Sequence, residues 1–453
     1  MKPVRISRTY LAWTSPDRAV AATQPLQLWG GIECSTVRVR GTWRDQVVET
    51  GHHARAGDLD RIAALGIRTL RYPILWERVT DGHPKACGWN WHDAQLGKLQ
   101  QLGINVVGGL LHHGSGPAET SLLDPALPAK LARHAAQAAA RYPFVQAWTP
   151  VNEPLTTARF SCLYGRWYPH EANEPAFLRA LVNQCRAVLL SMRAIRALLP
   201  RARLIQTEDI GRIFSTDRLA YQADYENERR WLSLDLLCGR VGKTHPWRAR
   251  LEAAAISPDH LDELASGEAK PDLIGVNHYV TSDRFLDHRF SRYPRRTQGG
   301  NGRERYADIE AARAELDPAI CGWEPRLREV WDRYQLPITV TEAHLGCDDQ
   351  REQVRWLVRA WRAAQTLRAE GADIRAVTAW ALLGLVDWDS LLCRQRNRYE
   401  PGALDASADP PRPTLLAEAI RTLAIEGNYA HPALRELGWW ERDDRLFQVR
   451  RRA

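Results

Sequence analysis

The feature that most constrains this chain is a repeated unit: an amphipathic stretch, a glycine stop and then a short apolar run. AGDLDRIAAL (56–65) stops at Gly66 and is followed by IRTLRYPILW; WHDAQLGKLQQL (91–102) stops at Gly103 and is followed by INVVGGLLHH. Glycine suits the left-handed position just past a helix, and a β-branched run beyond it reads as a buried strand. Further apolar runs lie at 145–153, 203–208, 272–279, 338–342 and 375–383, and LQLWGGIE at 26–33 brings the number to eight. Near-continuous apolar strands alternating with helices predict a parallel sheet covered on both faces, and eight units predict closure into a (β/α)8 barrel. An open doubly wound sheet is the runner-up, but no GxGxxG follows the first strand.

At 453 residues the chain is long enough for one elaborated barrel. The expected organisation is an N-terminal extension (1–25), the barrel (26–425) and a solvated C-terminal tail (426–453). No stretch approaches the ~18 uncharged apolar residues of a membrane span. The first twenty residues lack an apolar core before Asp17 and Arg18, so a cytoplasmic protein without a membrane partner is expected. Eight scattered cysteines without a CxxC predict reduced, packed thiols rather than a disulfide framework or a zinc site. The net charge of +8 comes from arginines dispersed among acids along helical stretches, which argues against a nucleic-acid partner. The 18 tryptophans say more, since indole faces stack on the C–H faces of sugar rings.

The ends of the eight runs carry the chemistry. Glu33 ends the first, Arg71 and Trp76 lie on and after the second, and His113 ends the third. Asn152 and Glu153 end the fourth, Asn277 and Tyr279 the sixth, and Glu342 the seventh; Trp380 lies on the eighth, with Asp387 and Trp388 just beyond. C-terminal strand ends of a barrel open into one shared mouth, so these residues should converge there.

The segments around these positions resemble glycoside hydrolase family 1. TPVNEP (149–154) resembles that family's Thr-x-Asn-Glu-Pro acid/base segment, and VTEAHLG (340–346) its Thr-Glu-Asn-Gly nucleophile segment. LLHHGSGP (110–117) resembles the stretch bearing the family's sugar-binding histidine, which falls on His113. GVNHY (275–279) resembles its Asn-x-Tyr, and WALLGLVDW (380–388) its tryptophan-rich eighth segment. The resemblance runs from about Leu28 to about Asp405. It implies a β-glucosidase-like retaining hydrolase, with Arg71 and Tyr279 supporting the charge of Glu342.

The departures point to a divergent branch. Ala343 and His344 replace the family's asparagine and glycine, STVRVRG (35–41) replaces its Gln-x-Glu-Gly, and Asp387 replaces a glutamate. Glu33 is the expected substitute for the missing first-strand polar group. Some relatives with this pattern resemble the front half of fusions with nucleotide-sugar reductases, which implies a partner enzyme of sugar metabolism.

The same chemistry follows from the residues themselves. Glycosidic cleavage passes through an oxocarbenium-like state that needs a proton on the leaving oxygen and a negative charge beneath the anomeric carbon. Glu153 is expected to be the acid/base and Glu342 the ionised nucleophile, about 5–5.5 Å apart in a retaining enzyme. His113, Asn152, Glu33 and Asp387 are expected to bind sugar hydroxyls, with Trp380 and Trp388 as stacking faces. A carboxylate at Asp387 would disfavour 6-phosphorylated sugars, so a neutral β-glycoside is expected. Two carboxylates complete the mechanism, and no metal or organic cofactor is implied. A transglycosidase in glycan biosynthesis and a non-catalytic sugar-binding relative are the alternatives.

Overall fold

The computed structural model describes residues 24–80 and 82–447. Its centre is eight strands, each overlapping one of the expected runs: β1 (Gln27–Gly31), β2 (Thr69–Pro73), β3 (Asn105–His112), β4 (Ala147–Asn152), β5 (Arg203–Asp209), β6 (Leu273–Asn277), β7 (Ile338–Ala343) and β8 (Ile374–Ala379). Each pairs in parallel with its sequence neighbour, and β8 returns to β1 to close the barrel. Gly66 and Gly103 take positive φ, as their role as helix stops requires.

Alternation explains why the runs read as continuously apolar. Trp29, Val107, Ala147, Ile205, Leu273 and Ala376 meet inside the barrel. Their neighbours Leu28, Val106, Trp148, Leu204, Ile274 and Val377 face outward into the core shared with the helices. Both faces are buried, so the runs lack the apolar–polar alternation of a half-solvated sheet. Among those helices are Leu127–Arg141 and Glu174–Leu198, the second begun by Asn173, whose side chain accepts from Ala176 N.

Two features depart from expectation. The described part of the C-terminal segment is not solvated: Trp440 packs edge-on against Trp356, and the buried Arg445 donates to the carbonyls of Leu316 and Arg442. The loop after β6 contributes to a small four-stranded sheet, in which Ile213–Ser215 pairs with Arg284–Asp287, which in turn pairs with Arg305–Glu310. The expected N-terminal extension lies outside the described residues up to 23, as do 448–453 at the other end. No helix among the described residues is long and apolar enough to cross a membrane.

Candidate active site

Strand parity carries Arg71, Asn277 and Tyr279 to the barrel interior, but it would turn Glu342 outward, since Val340 faces the outer core. The pairing of β7 shifts register against both neighbours between Val340 and Ala343. Such a bulge re-aims a side chain, and Glu342 lies within it. One oxygen of Glu342 accepts from Arg71 Nη1 at 3.0 Å, and the other accepts a short hydrogen bond from the Tyr279 hydroxyl. Arg71 also donates to the Thr341 carbonyl and, through Nη2, to Asn152 Oδ1 at 2.8 Å.

Glu153 follows β4 in the left-handed region, at φ +47°. His113 sits likewise just past β3, at φ +57°. Such backbone costs about 1–3 kcal/mol per residue and concentrates at functional sites. Glu153 Oε1 accepts from Asn277 Nδ2 at 2.6 Å, and Asn277 Oδ1 accepts from Thr341 Oγ1 at 2.6 Å, which orients the amide. His113 Nε2 lies 3.7 Å from the second Glu153 oxygen, while its Nδ1 is 2.9 Å from Thr157 Oγ1.

The two carboxyls have contrasting surroundings. Burial pushes Glu342 up to about 7, against the pull of Arg71 and Tyr279. Glu153 is driven well above the ordinary range, first by burial and then by the charges of Glu342, Asp209 and Glu208, against the pull of the neutral Asn277 amide. Glu153 therefore holds its proton more tightly than Glu342. Burial works against the expected ionisation of Glu342, and Arg71 and Tyr279 work for it. Burial, with Arg71 adding to it, lowers His113 to about 3 and so keeps its ring neutral.

The remaining expected residues divide. Asn152 is held by Arg71, by Thr207 Oγ1 at 2.8 Å and by a bond from its Nδ2 to His112 Nε2. The Trp380 indole donates to Glu33 Oε2 at 3.2 Å, stacks on His112 and lies under the Arg71 guanidinium. Gly31 makes room for it, since a Cβ there would stand 2.3 Å from the Trp380 ring. Trp388 meets His113 at 5.7 Å between ring centroids.

Asp387 corrects an expectation. Its side chain is fully buried, and its oxygens accept from Arg44 Nη2 at 3.0 Å and from the backbone N–H groups of Arg396, Asn397 and Arg398 at 2.9–3.0 Å. Burial raises its proton affinity, but these donors outweigh it and hold the group below the usual carboxylate range. Buried and accepting four bonds, three of them at Oδ2, Asp387 ties the 396–398 loop to Arg44. Arg44 is shared between Asp387 and Glu49, so the cluster keeps a net negative charge.

Two residues at the site were not assigned their roles from the sequence. Trp167 is buried against His113 and Trp388, delivered by a loop far from any strand end. Glu208 accepts from Leu155 N at 2.8 Å and Thr156 N at 3.2 Å, securing the turn that follows Glu153. A Thr-Glu pair ends β5 as one ends β7, so Glu208 was visible as a candidate but not as a clamp.

A barrel whose mouth holds two buried carboxyls, one beside a cation and one beside a neutral amide, defines the class of protein: an O-glycosyl hydrolase. The chain belongs to glycosyl hydrolase family 1, whose model matches residues 35–399. Beta-glucosidase 47 of Arabidopsis thaliana is 22% identical over 429 residues, covering 86% of this chain and 77% of that protein. The aryl-phospho-beta-D-glucosidase BglC of Bacillus subtilis is 26% identical over 197 residues, or 38% of this chain and 41% of that protein. The family 1 β-glucosidase of Thermotoga maritima superposes with a TM-score of 0.68 at 14% identity, covering 88% of this chain and 97% of that one. The complex of the Thermotoga maritima β-glucosidase with deoxynojirimycin gives 0.67 at 15% identity over the same shares.

Proposed function

We propose that the protein is a retaining β-glycosidase acting on a neutral β-glycoside by double displacement, with Glu342 as nucleophile and Glu153 as acid/base. The observation that carries this reading is the asymmetry of the pair: Arg71 and Tyr279 stabilise charge on Glu342, while among the described residues the Glu153 side chain accepts a hydrogen bond from the neutral Asn277 amide alone. Glu342 attacks the anomeric carbon as the Glu153 proton passes to the glycosidic oxygen, and the aglycone leaves. Once Glu342 is esterified, its charge no longer raises the proton affinity of Glu153. The group that was an acid becomes a base and takes the proton of the incoming water. Water attack then releases the sugar with retained configuration.

Asn152, Glu33 and the neutral His113 ring bind the sugar hydroxyls, with Trp380 and Trp388 as apolar walls. Arg71 is already paired with Glu342, and Arg44 with Glu49 and Asp387, so neither waits for a phosphate; this favours a neutral sugar. The test is trapping with an activated 2-deoxy-2-fluoro-β-glucoside, followed by mass spectrometry of the labelled peptide. The label is expected on Glu342, and Glu342→Ala should lose turnover and regain part of it with azide. A label on Glu33 or Glu208 would overturn the assignment.

A further inference from the structure

The inward positions of β5 and β6 rise together towards the mouth: Ile205 stands opposite Leu273, Thr207 opposite Gly275 and Asp209 opposite Asn277. The first pair lies in the barrel core. Alternation places the second and third pairs on the same side, and their contacts agree. Thr207 bonds the Asn152 side chain and the Glu153 N–H, and Asn277 donates to the Glu153 carboxyl. Glu208, between the two inward positions, turns outward to its clamp on Leu155 and Thr156. Asp209 therefore ends β5 as a carboxylate on the catalytic side of the barrel, level with the amide that holds the acid/base. The double displacement described above gives it no part.

What Asp209 holds is the turn that presents Tyr279. Ser282 N donates to the Tyr279 carbonyl at 2.9 Å, and Tyr279 N donates to Ser282 Oγ at 2.9 Å, so the turn is closed from both ends. Ser282 Oγ in turn donates to Asp209 Oδ1 at 2.5 Å. A serine hydroxyl has one proton and two lone pairs, whereas an ionised carboxylate only accepts. Asp209 thus claims the Ser282 proton and leaves a lone pair for the Tyr279 N–H. The two segments are laced on either side of this bond: Ile210 N donates to the Asn277 carbonyl at 3.0 Å, His278 Nδ1 lies 2.8 Å from the Ile210 carbonyl, and Arg212 N donates to Asp283 Oδ1 at 2.7 Å. Gly211 permits the approach, since a Cβ there would collide with the Ser282 carbonyl.

We propose that Asp209 is a positioning residue for both catalytic carboxyls: through Ser282 it fixes the Tyr279 hydroxyl on Glu342, and its carboxylate disfavours a second negative charge on Glu153. The proposal rests on the roles assigned to those two glutamates above. Glu153 is raised first by burial, then by Glu342 and by Asp209, with Glu208 adding to them; His113, 3.7 Å away, is neutral. Glu342 answers instead to burial, Arg71, Tyr279 and Glu33. Around Asp209 itself, burial raises the proton affinity and Asp283 adds to it, while Ser282, His278 and Arg159, on the π-helical turn Arg159–Leu163, pull the other way without cancelling the rise.

The two roles separate by substitution. The assay is kcat/KM of the full chain on an alkyl β-D-glucoside, whose departure needs the acid/base proton, across the pH range. Asp209→Asn keeps an acceptor for Ser282 but removes the charge. Its alkaline limb, set by loss of the acid/base proton, is expected to fall by about one pH unit while the acid limb stays in place. Ser282→Ala keeps the charge but frees the turn, so its acid limb is expected to rise by up to about one unit while the alkaline limb stays. Both changes are close to isosteric and leave the fold intact. A loss of the same factor at every pH, or a limb that does not move, overturns the role that the variant tests. Trapping the wild type with a 2-deoxy-2-fluoro-β-glucoside tells the two failures apart. With the label on Glu342, unmoved limbs remove this proposal alone; a label elsewhere removes the nucleophile assignment and this proposal with it.

Discussion

Replacing Tyr279 by phenylalanine should shift the acid limb of the pH–rate profile rather than lower activity uniformly. The hydroxyl donates to Glu342, which burial places at about 7 despite that bond and Arg71. A hydrogen bond to a charged group contributes about 1.5–3 kcal/mol. At 1.36 kcal/mol per pKa unit, its loss raises the carboxyl by about 1–2 units. The ionised form loses a stabilising partner, so the direction is upward. The nucleophile must be ionised, and the limb of kcat/KM therefore moves from near 7 towards roughly 8–9. This limb belongs to the Glu153–Glu342 pair rather than to one residue. At pH 6 the deficit should be about 10- to 100-fold, shrinking steadily as the pH rises. The assay is kcat/KM on a nitrophenyl β-glucoside across the pH range, with a fold check by circular dichroism. A loss of the same size at every pH would refute the reasoning and make Tyr279 a group that acts only in the transition state.

Glu77 provides a stability test away from the chemistry: it is buried, accepts from Gly116 N at 3.0 Å, and burial lifts its carboxyl to about 7. The folded protein thus keeps a proton that the unfolded chain releases near 4.5, and stability falls as pH rises through that window, by about 3 kcal/mol for this group. Glu77→Gln should therefore raise the unfolding free energy at pH 8 and leave it nearly unchanged at pH 5 in urea titrations; an equal effect at both would sink this account. Asp387→Ala should act on folding first, because it strips Arg44 and three backbone N–H groups of their acceptor. Arg44 keeps Glu49, so the cost is that of donors left without an acceptor, about 1–3 kcal/mol per group that stays buried, again read by urea unfolding. A raised KM at undiminished stability would restore Asp387 to the sugar site.

How far the sequence reached is clearest at particular residues. The strand runs were legible because both faces of a barrel strand are buried, so the apolar signal needs no knowledge of the neighbouring strand. Glu153, Asn277 and Tyr279 followed from their positions at strand ends, which barrel topology brings to one mouth. Glu342 was legible by its strand, but its aim depends on a bulge set by pairing with β6 and β8. For Asp387 the aligned position suggested a sugar ligand; only the folded loop, with Arg44 arriving from 343 residues away, decided that its carboxylate ties Arg44 to the 396–398 backbone. Trp167, the Glu208 clamp and the packed C-terminal segment lay beyond sequence reasoning for the same reason. Periodicity reports which side of an element is buried, whereas the partner of a buried polar group is chosen by tertiary contacts between segments that local pattern does not connect.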